Sequence, residues 1–399
     1  MAASNGKLNV LFLHAQAAFG ADSAVHCLLM RHLDRERFTV HAAYNQGEGG
    51  DVPVSRREIE SIPDVRLRPM AFLPGFRERG PAEVLRNTVA SARFPVDYAA
   101  LALYCKRHHI RVIHSTDRPR DSAYAVTLGK VAGARSIVHV HVKWSDYYSK
   151  LACWAVRNAD AVFGISDYVS RSVVTFGRAP SDVHTILNGI DVSRWDPSKA
   201  DGHAVRRELG IAEQAPLLAS VSRLFGHKGT AELLRAFALV RKEVPDARLL
   251  IVGEETPFSR GFAAQMQELA RELGVADAVV FTGARKDVPD VMAACDVFSM
   301  PSDEEPFGLV YLEAMAMGKP VAAIGNGGTP EVVVHGEDGL LSPTKEDFTA
   351  YAANLVTLLK DPERRARMGA HGRARVLGRF SAERMARDAG DAYVKLARS

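Results

Sequence analysis

The sequence predicts an α/β protein built from two doubly wound parallel sheets. Short apolar runs rich in Val, Ile and Leu recur about every 25–30 residues, and amphipathic stretches separate them. The length of 399 residues with 47% hydrophobic content exceeds one ordinary core. Runs that are apolar on both faces suit parallel strands covered by helices on each side.

Strands are expected at 8–15, 38–44, 111–117, 136–142, 161–166 and 184–190 in the first half. In the second half they are expected at 217–224, 247–254, 278–284, 296–302, 320–326 and 339–343. Right-handed crossovers then place every ligand-facing loop at the carboxyl edge of its sheet. The polar stretch 191–202, with Pro197 and Gly202, reads as the break, giving domains at 1–195 and 203–380. The tail 381–399 reads as an amphipathic helix that packs back on the first domain.

Net charge is +4. Residues 1–195 carry 25 Lys/Arg against 18 Asp/Glu, and the remainder 26 against 29. Six arginines and two glutamates fall in 66–94, interleaved with Met70, Phe72, Leu73 and Phe76. This stretch reads as a solvated basic helix and loop, as a peripheral contact with an anionic membrane, or as recognition of a phosphorylated acceptor. Basic residues are otherwise dispersed, with no nucleic-acid recognition motif, so nucleic acid is not an expected partner. Cys27, Cys105, Cys153 and Cys295 form no Cys-x-x-Cys pair, which fits a reducing compartment and no zinc framework. The start lacks a signal-peptide pattern and no run approaches a membrane span, so a cytoplasmic protein is expected.

The chemistry concentrates in two stretches. In Pro301–Pro320, Glu305 precedes a helix for which Pro306 suits the first position. The amides of Gly308, Leu309 and Val310 then face outward in the first turn, ready for an anion. Glu305 and Glu313 stand eight residues apart, about 12 Å on a continuous helix. That is too far for an acid–base pair on one bond, but it suits opposite ends of one extended ligand. Taken alone, both glutamates also read as surface residues. In Ser220–Gly229, Arg223 closes a strand and Lys228 lies in a glycine-flanked turn before a helix capped by Thr230. Two cations at a strand end make a socket for a diphosphate. The chain contains no Asp-x-Asp pair and no His-x-x-x-His pair, so no metal and no cofactor is expected there. His114, His139 and His141 all fall in expected strands, where a histidine more often satisfies local backbone than touches substrate.

Arg223…Lys228-Gly229, Glu305 with Phe307-Gly308-Leu309, Glu313-Ala314-Met315-Ala316 and Gly327-Gly328…Glu331 resemble family 4 of the retaining glycosyltransferases. The likeness is specific from about Asn188 to Pro343 and looser before that. It implies the GT-B fold, two Rossmann-like domains facing across a cleft, the first acceptor-side and the second binding a nucleotide-sugar. It also implies that Arg223 and Lys228 bind the donor diphosphate, that Glu305 holds sugar hydroxyls, and that Phe307 to Val310 line sugar and phosphate through their amides. Glu313 would hold the ribose, with Gly253 and Arg285 near the base. Gly20 matches one glycine of a phosphate-facing loop, although Phe19 stands where a second glycine is usual. His141 matches a histidine beside the transferred sugar. Arg223, Lys228, Glu305 and His141 are thus the expected catalytic set.

The implied activity moves a hexose-type sugar from a UDP- or GDP-linked donor to a hydroxyl acceptor of unknown identity, with retention and without metal. Two alternatives stay open on the same architecture: a sugar-nucleotide epimerase or phosphorolytic enzyme, and a non-catalytic nucleotide-sugar-binding protein.

Overall fold

The computed structural model describes residues 6–16, 19–47, 52–72 and 80–398, with 80–93 as backbone alone. Contacts divide the chain into two compact units, Met1–Gly189 with Ala382–Ser399, and Ile190–Ser381. The first holds β1 (Leu8–His14), β2 (Phe38–Asn45), β3 (Val65–Met70), β4 (Ile110–Thr116), β5 (Arg135–Val140), β6 (Ala161–Gly164) and β7 (Val183–Thr185). They form a parallel sheet in the order β3-β2-β1-β4-β5-β6-β7. The second holds β8 (Leu217–Val221), β9 (Arg248–Val252), β10 (Val279–Gly283), β11 (Val297–Met300), β12 (Val321–Ile324) and β13 (Gly339–Ser342). These are also parallel, in the order β10-β9-β8-β11-β12-β13.

Central strands are buried on both faces, as their unbroken apolar runs require. Val10, Leu11, Phe12 and Leu13 of β1, and Val321 to Ile324 of β12, have no exposed surface. Each strand returns to the sheet through a helix, so all carboxyl ends within a sheet lie along one edge.

Where the sequence suggested helix and loop from residue 66, Val65–Met70 instead forms the edge strand β3. Pairing only with β2, it tolerates Pro69, whose missing amide would break a central ladder. Arg68 lies over the Tyr104 ring at 5.7 Å. Residues 73–79 and the side chains of 80–93 lie outside the described residues, so the basic surface expected there does too.

The stretch 191–202 packs within the second unit: Trp195 is buried, and Arg373 donates to its carbonyl at 3.3 Å. The helix Ala382–Arg398 packs on the helix Ala21–His32 of the first unit. It buries Tyr393, whose ring stacks on Phe163 at 5.9 Å. None of the described helices is long and apolar enough to cross a membrane.

One contact in the second unit reverses an ordinary propensity. In the helix Pro362–Arg379, a Cβ on Gly369 would sit 1.9 Å from the Gly318 carbonyl oxygen, whereas one on Gly378 would meet nothing within 4 Å. Alanine is normally better than glycine in a helix by about 1 kcal/mol. We expect Gly378→Ala to leave stability equal or slightly raised. Gly369→Ala should cost about 2–3 kcal/mol through overpacking, read as a lower urea midpoint at unchanged slope.

Candidate active site

In a doubly wound sheet, ligands bind beyond the carboxyl ends where neighbouring strands cross over in opposite directions. Those switch points lie between β1 and β4 in the first unit and between β8 and β11 in the second. Arg223, Lys228, Glu305 and Phe307 to Val310 lie at the second of these and Gly20 at the first, whereas His141, Gly253 and Arg285 follow β5, β9 and β10.

In the second unit, Arg223 follows β8 and is exposed. It makes no hydrogen bond or ion pair with any described residue. Lys228 ends a short 3-10 turn and donates from Nζ to Glu305 Oε2 at 2.7 Å. Ser302 Oγ donates to the same oxygen at 2.7 Å. Both contacts fall on Oε2, which leaves Oε1 of this buried carboxylate for another donor.

Backbone contacts fix the pair. Asp303 N donates to His227 O at 3.0 Å, and a Cβ on Gly229 would lie 2.2 Å from Pro301 O. Gly229, at φ 76°, is also the residue preceding the helix Thr230–Glu243, so the cap position belongs to Gly229 rather than Thr230. Gly328 N donates to Glu305 O at 2.7 Å, and a Cβ on Gly327 would meet that same carbonyl at 2.6 Å.

The helix after β11 runs Leu309–Ala316, three residues later than Pro306 would start it. Gly308 takes φ 96°, a conformation costly to other residues, and a Cβ there would strike the Tyr311 ring at 2.2 Å. Residues 305–308 therefore form a turn, and the 12 Å helical spacing expected between Glu305 and Glu313 does not apply. The outward first-turn amides are those of Leu309 and Val310, which the helix leaves unbonded. Phe307 is buried against Phe380, so only its backbone is available.

Glu313 is half-buried, and its carboxyl has no hydrogen-bond partner among the described residues. Burial pushes its pKa up to about 8, against a weaker pull from Arg194. Gly253, at φ 140°, is required because a Cβ would lie 1.7 Å from Ser222 O, where the ends of β8 and β9 meet. Arg285 is engaged with Glu208 (2.8 Å) and Asp287 (2.9 Å), bonds that raise its pKa. Its guanidinium ties β10 to the helix Gly202–Glu208 instead of standing free.

In the first unit, Asp121 accepts from Ala15 N at 3.0 Å and Thr116 Oγ1 at 2.9 Å, clamping the ends of β1 and β4 together. Arg118 makes a two-pronged bond to Asp22, Nε to Oδ2 at 2.6 Å and Nη2 to Oδ1 at 3.1 Å. A Cβ on Gly20 would lie 2.7 Å from Asp22 Oδ1, so glycine there makes room for this pair. His141 stands one residue past β5, outside the strand expected to hold it, and its amide donates to Asp117 at 2.9 Å. Burial lowers the His141 pKa to about 4 and raises that of Asp117 to about 7.

Sequence reasoning missed His26, Asp22, Asp117, Arg118 and Asp121. Asp22 and His26 come from the helix Ala21–His32 that follows β1, Asp117 and Arg118 from the connection after β4, and Asp121 from the helix Pro119–Ala132, so no one motif contains them. His14, His26, His114, His139 and His141 form a packed group, with His139–His141 ring centroids at 4.5 Å and His26–His114 at 4.6 Å. Burial, reinforced by neighbouring histidines, holds His26, His114 and His139 well below the ordinary imidazole pKa. A separate cavity of about 910 Å³, lined by Lys7, Arg37, His109, Arg111, Val394 and Arg398, lies at the opposite, amino edge and holds none of the expected residues.

Two doubly wound α/β units, with an exposed arginine and a lysine–glutamate pair at the second unit's switch point, define the class of protein by fold. The model for glycosyl transferases group 1 matches residues 203–375, and that for glycosyltransferase family 4 matches residues 27–194. The chain belongs to the family 4 type of glycosyltransferases. It is 37% identical over 262 residues to a GDP-mannose-dependent alpha-(1-6)-phosphatidylinositol monomannoside mannosyltransferase of Mycolicibacterium smegmatis, covering 62% of this chain and 66% of that protein. It is 32% identical over 237 residues to N-acetyl-alpha-D-glucosaminyl L-malate synthase of Bacillus anthracis, covering 59% and 60%. The chain thus spans just under two thirds of the length of these relatives. Its fold is that of HepE from Anabaena solved with UDP-glucose, at TM-score 0.77 and 23% identity over 97% of this chain and 100% of the other. Sucrose-phosphate synthase of Thermosynechococcus elongatus superposes at TM-score 0.78 and 22% identity, covering 98% and 100%.

Glu313 sets a pH test. Its pKa is raised from 4.5 to about 8, so the folded state holds a proton that the unfolded chain has released. Its contribution is therefore fully present below pH 4.5 and declines as pH rises to about 8. Glu313→Gln should match the wild type near pH 4.5 and exceed it at pH 8.5, measured by urea unfolding at both values.

Proposed function

We propose that this chain transfers a hexose-type sugar from a UDP- or GDP-linked donor to a hydroxyl acceptor, with retention at the anomeric carbon and no metal on the diphosphate. The observation that carries the reading is the exposed Arg223, unpartnered among the described residues, at the same switch point as the Lys228–Glu305 pair and the first-turn amides of Leu309 and Val310. Family membership and the donors in the relatives' names support it.

On this reading Arg223, Lys228 and the two amides receive the diphosphate. Glu305 Oε1 accepts from a sugar hydroxyl, while Oε2 stays with Lys228 and Ser302. Glu313 faces the ribose and His141 the transferred sugar. The bond from the anomeric carbon to the phosphate oxygen breaks with its electron pair on phosphate. The acceptor hydroxyl bonds to that carbon from the face the phosphate leaves, and its proton passes to a phosphate oxygen. Positive groups already in place stabilise the departing charge without reorganisation.

An acceptor held at a membrane is a further part of the proposal. Val96 and Leu103, 68% and 67% exposed, stand seven residues apart on one face of the helix Gly80–Arg107, and Leu67 is exposed on β3. Such a surface suits the interfacial docking of a peripheral protein. Replacing Val96 and Leu103 together by Ser should reduce co-sedimentation with anionic liposomes and leave thermal stability unchanged.

The central test is Arg223→Ala. Loss of one such donor typically costs about 10²–10³ in rate, so release of nucleoside diphosphate should fall by that factor at an unchanged urea midpoint. Wild-type turnover in the variant would refute the assignment. Omitting Mg²⁺ and Mn²⁺ should leave turnover unaltered, and proton NMR of the product should show the donor's anomeric configuration. Free sugar 1-phosphate or an epimerised donor would instead select the phosphorolytic or epimerase alternatives.

A further inference from the structure

The geometry points to a metal site in the first unit, in which His26, His114 and His139 bind one first-row divalent cation of the Zn²⁺ type. Each offers a ring nitrogen, and the three lie within 4.8 Å of one another. They come from three elements: His26 from the helix Ala21–His32, His114 from β4 and His139 from β5. All three residues are completely buried.

What separates this group from ordinary core histidines is its hydrogen bonding. Both nitrogens of His26 and of His139, and Nε2 of His114, are buried without a partner among the described residues. By contrast, the buried His41 uses Nδ1 on the Tyr104 hydroxyl at 2.7 Å. Tyr393 OH bonds Nδ1 of His114, which holds the ring so that Nε2 is the nitrogen left for a ligand role. Metal-bound histidines commonly have their second nitrogen fixed in this way.

The donor chemistry selects the cation. Uncharged imidazoles suit Zn²⁺, Cu²⁺ or Ni²⁺ and not Mg²⁺ or Ca²⁺, which take oxygen. The nearby Asp22 is committed to Arg118 through both oxygens and does not compete as a ligand. Small ring rotations would bring the three nitrogens to the ~2.0–2.1 Å of Zn–N bonds. His14 stands against the group, its ring 5.2 Å from that of His26, with both nitrogens unpartnered among the described residues and available for a fourth position. The cation would tie helix, β4 and β5 together as a structural centre. All of its ligands belong to the first unit.

The test uses the untagged full chain, stripped with a chelator, then loaded with ZnCl₂ and freed of excess by gel filtration. One zinc per chain should remain by mass spectrometry, and the melting temperature should rise over the stripped protein. His26→Gln and His139→Gln should each lose most of the retained zinc, while His203→Gln, at an exposed histidine, should keep it. Should the buried variants fail to fold, X-ray absorption of the zinc-loaded wild type decides. Three or more imidazoles around zinc support the site. Fewer than three, or retention well below one equivalent, overturns it, as does undiminished retention by folded His26→Gln and His139→Gln.

Discussion

A single carboxylate oxygen, Glu305 Oε2, holds the second unit's site together. It accepts from Lys228 in the turn after β8 and from Ser302 in the loop after β11. Pairs this buried contribute little net stability, because desolvating both charges offsets most of their attraction. Their contribution is placement. With Lys228 held by Glu305, Arg223 is left without a hydrogen bond or ion pair among the described residues. The backbone reinforces the arrangement: Gly229 lies against Pro301, and Gly327 and Gly328 lie against Glu305 and Pro306. Asn326 accepts from Glu304 N and donates to Asp303, each at 2.8 Å, which extends the block to the loop after β12. Three strand ends thereby behave as one rigid surface, the condition for stabilising charge without reorganisation.

The fold was legible because burial on both faces leaves a plain record in sequence. Each central strand has to be apolar throughout, and each crossover must alternate faces. The edge strand β3 escaped because it is buried on neither count. Its arginines and Pro69 are compatible with an edge and resemble a loop when read alone.

The residues grouped at the second unit's switch point were legible for a different reason. Arg223, Lys228, Glu305 and Gly308 lie at strand ends within short local motifs, so the topology alone brings them to one edge. Their local geometry was less so. Gly308 in a left-handed conformation delays the helix beyond Pro306, and Gly229 displaces Thr230 from the cap. The first depends on how the Tyr311 ring folds back over Gly308, and the second on Pro301, which follows a different strand and lies outside any local window. Arg285 illustrates the same limit, since its partner Glu208 lies 77 residues away. The histidine group is the extreme case. Residues 26, 114 and 139 meet only through sheet order, and buried ring nitrogens without partners cost about 1–3 kcal/mol each.

The return of helix Ala382–Arg398 to the first unit bears on the order in which the chain can fold. Tyr393 fills the layer between Phe163, Phe38 and His114, and Gly390 closes on Phe38. Tyr393 and Gly390 are translated only after all of Ile190–Ser381. A nascent first unit must therefore wait with this part of its core open to water, while the second can reach its native packing first. Vectorial synthesis ordinarily favours the amino-terminal domain; here the chain's own threading reverses that precedence.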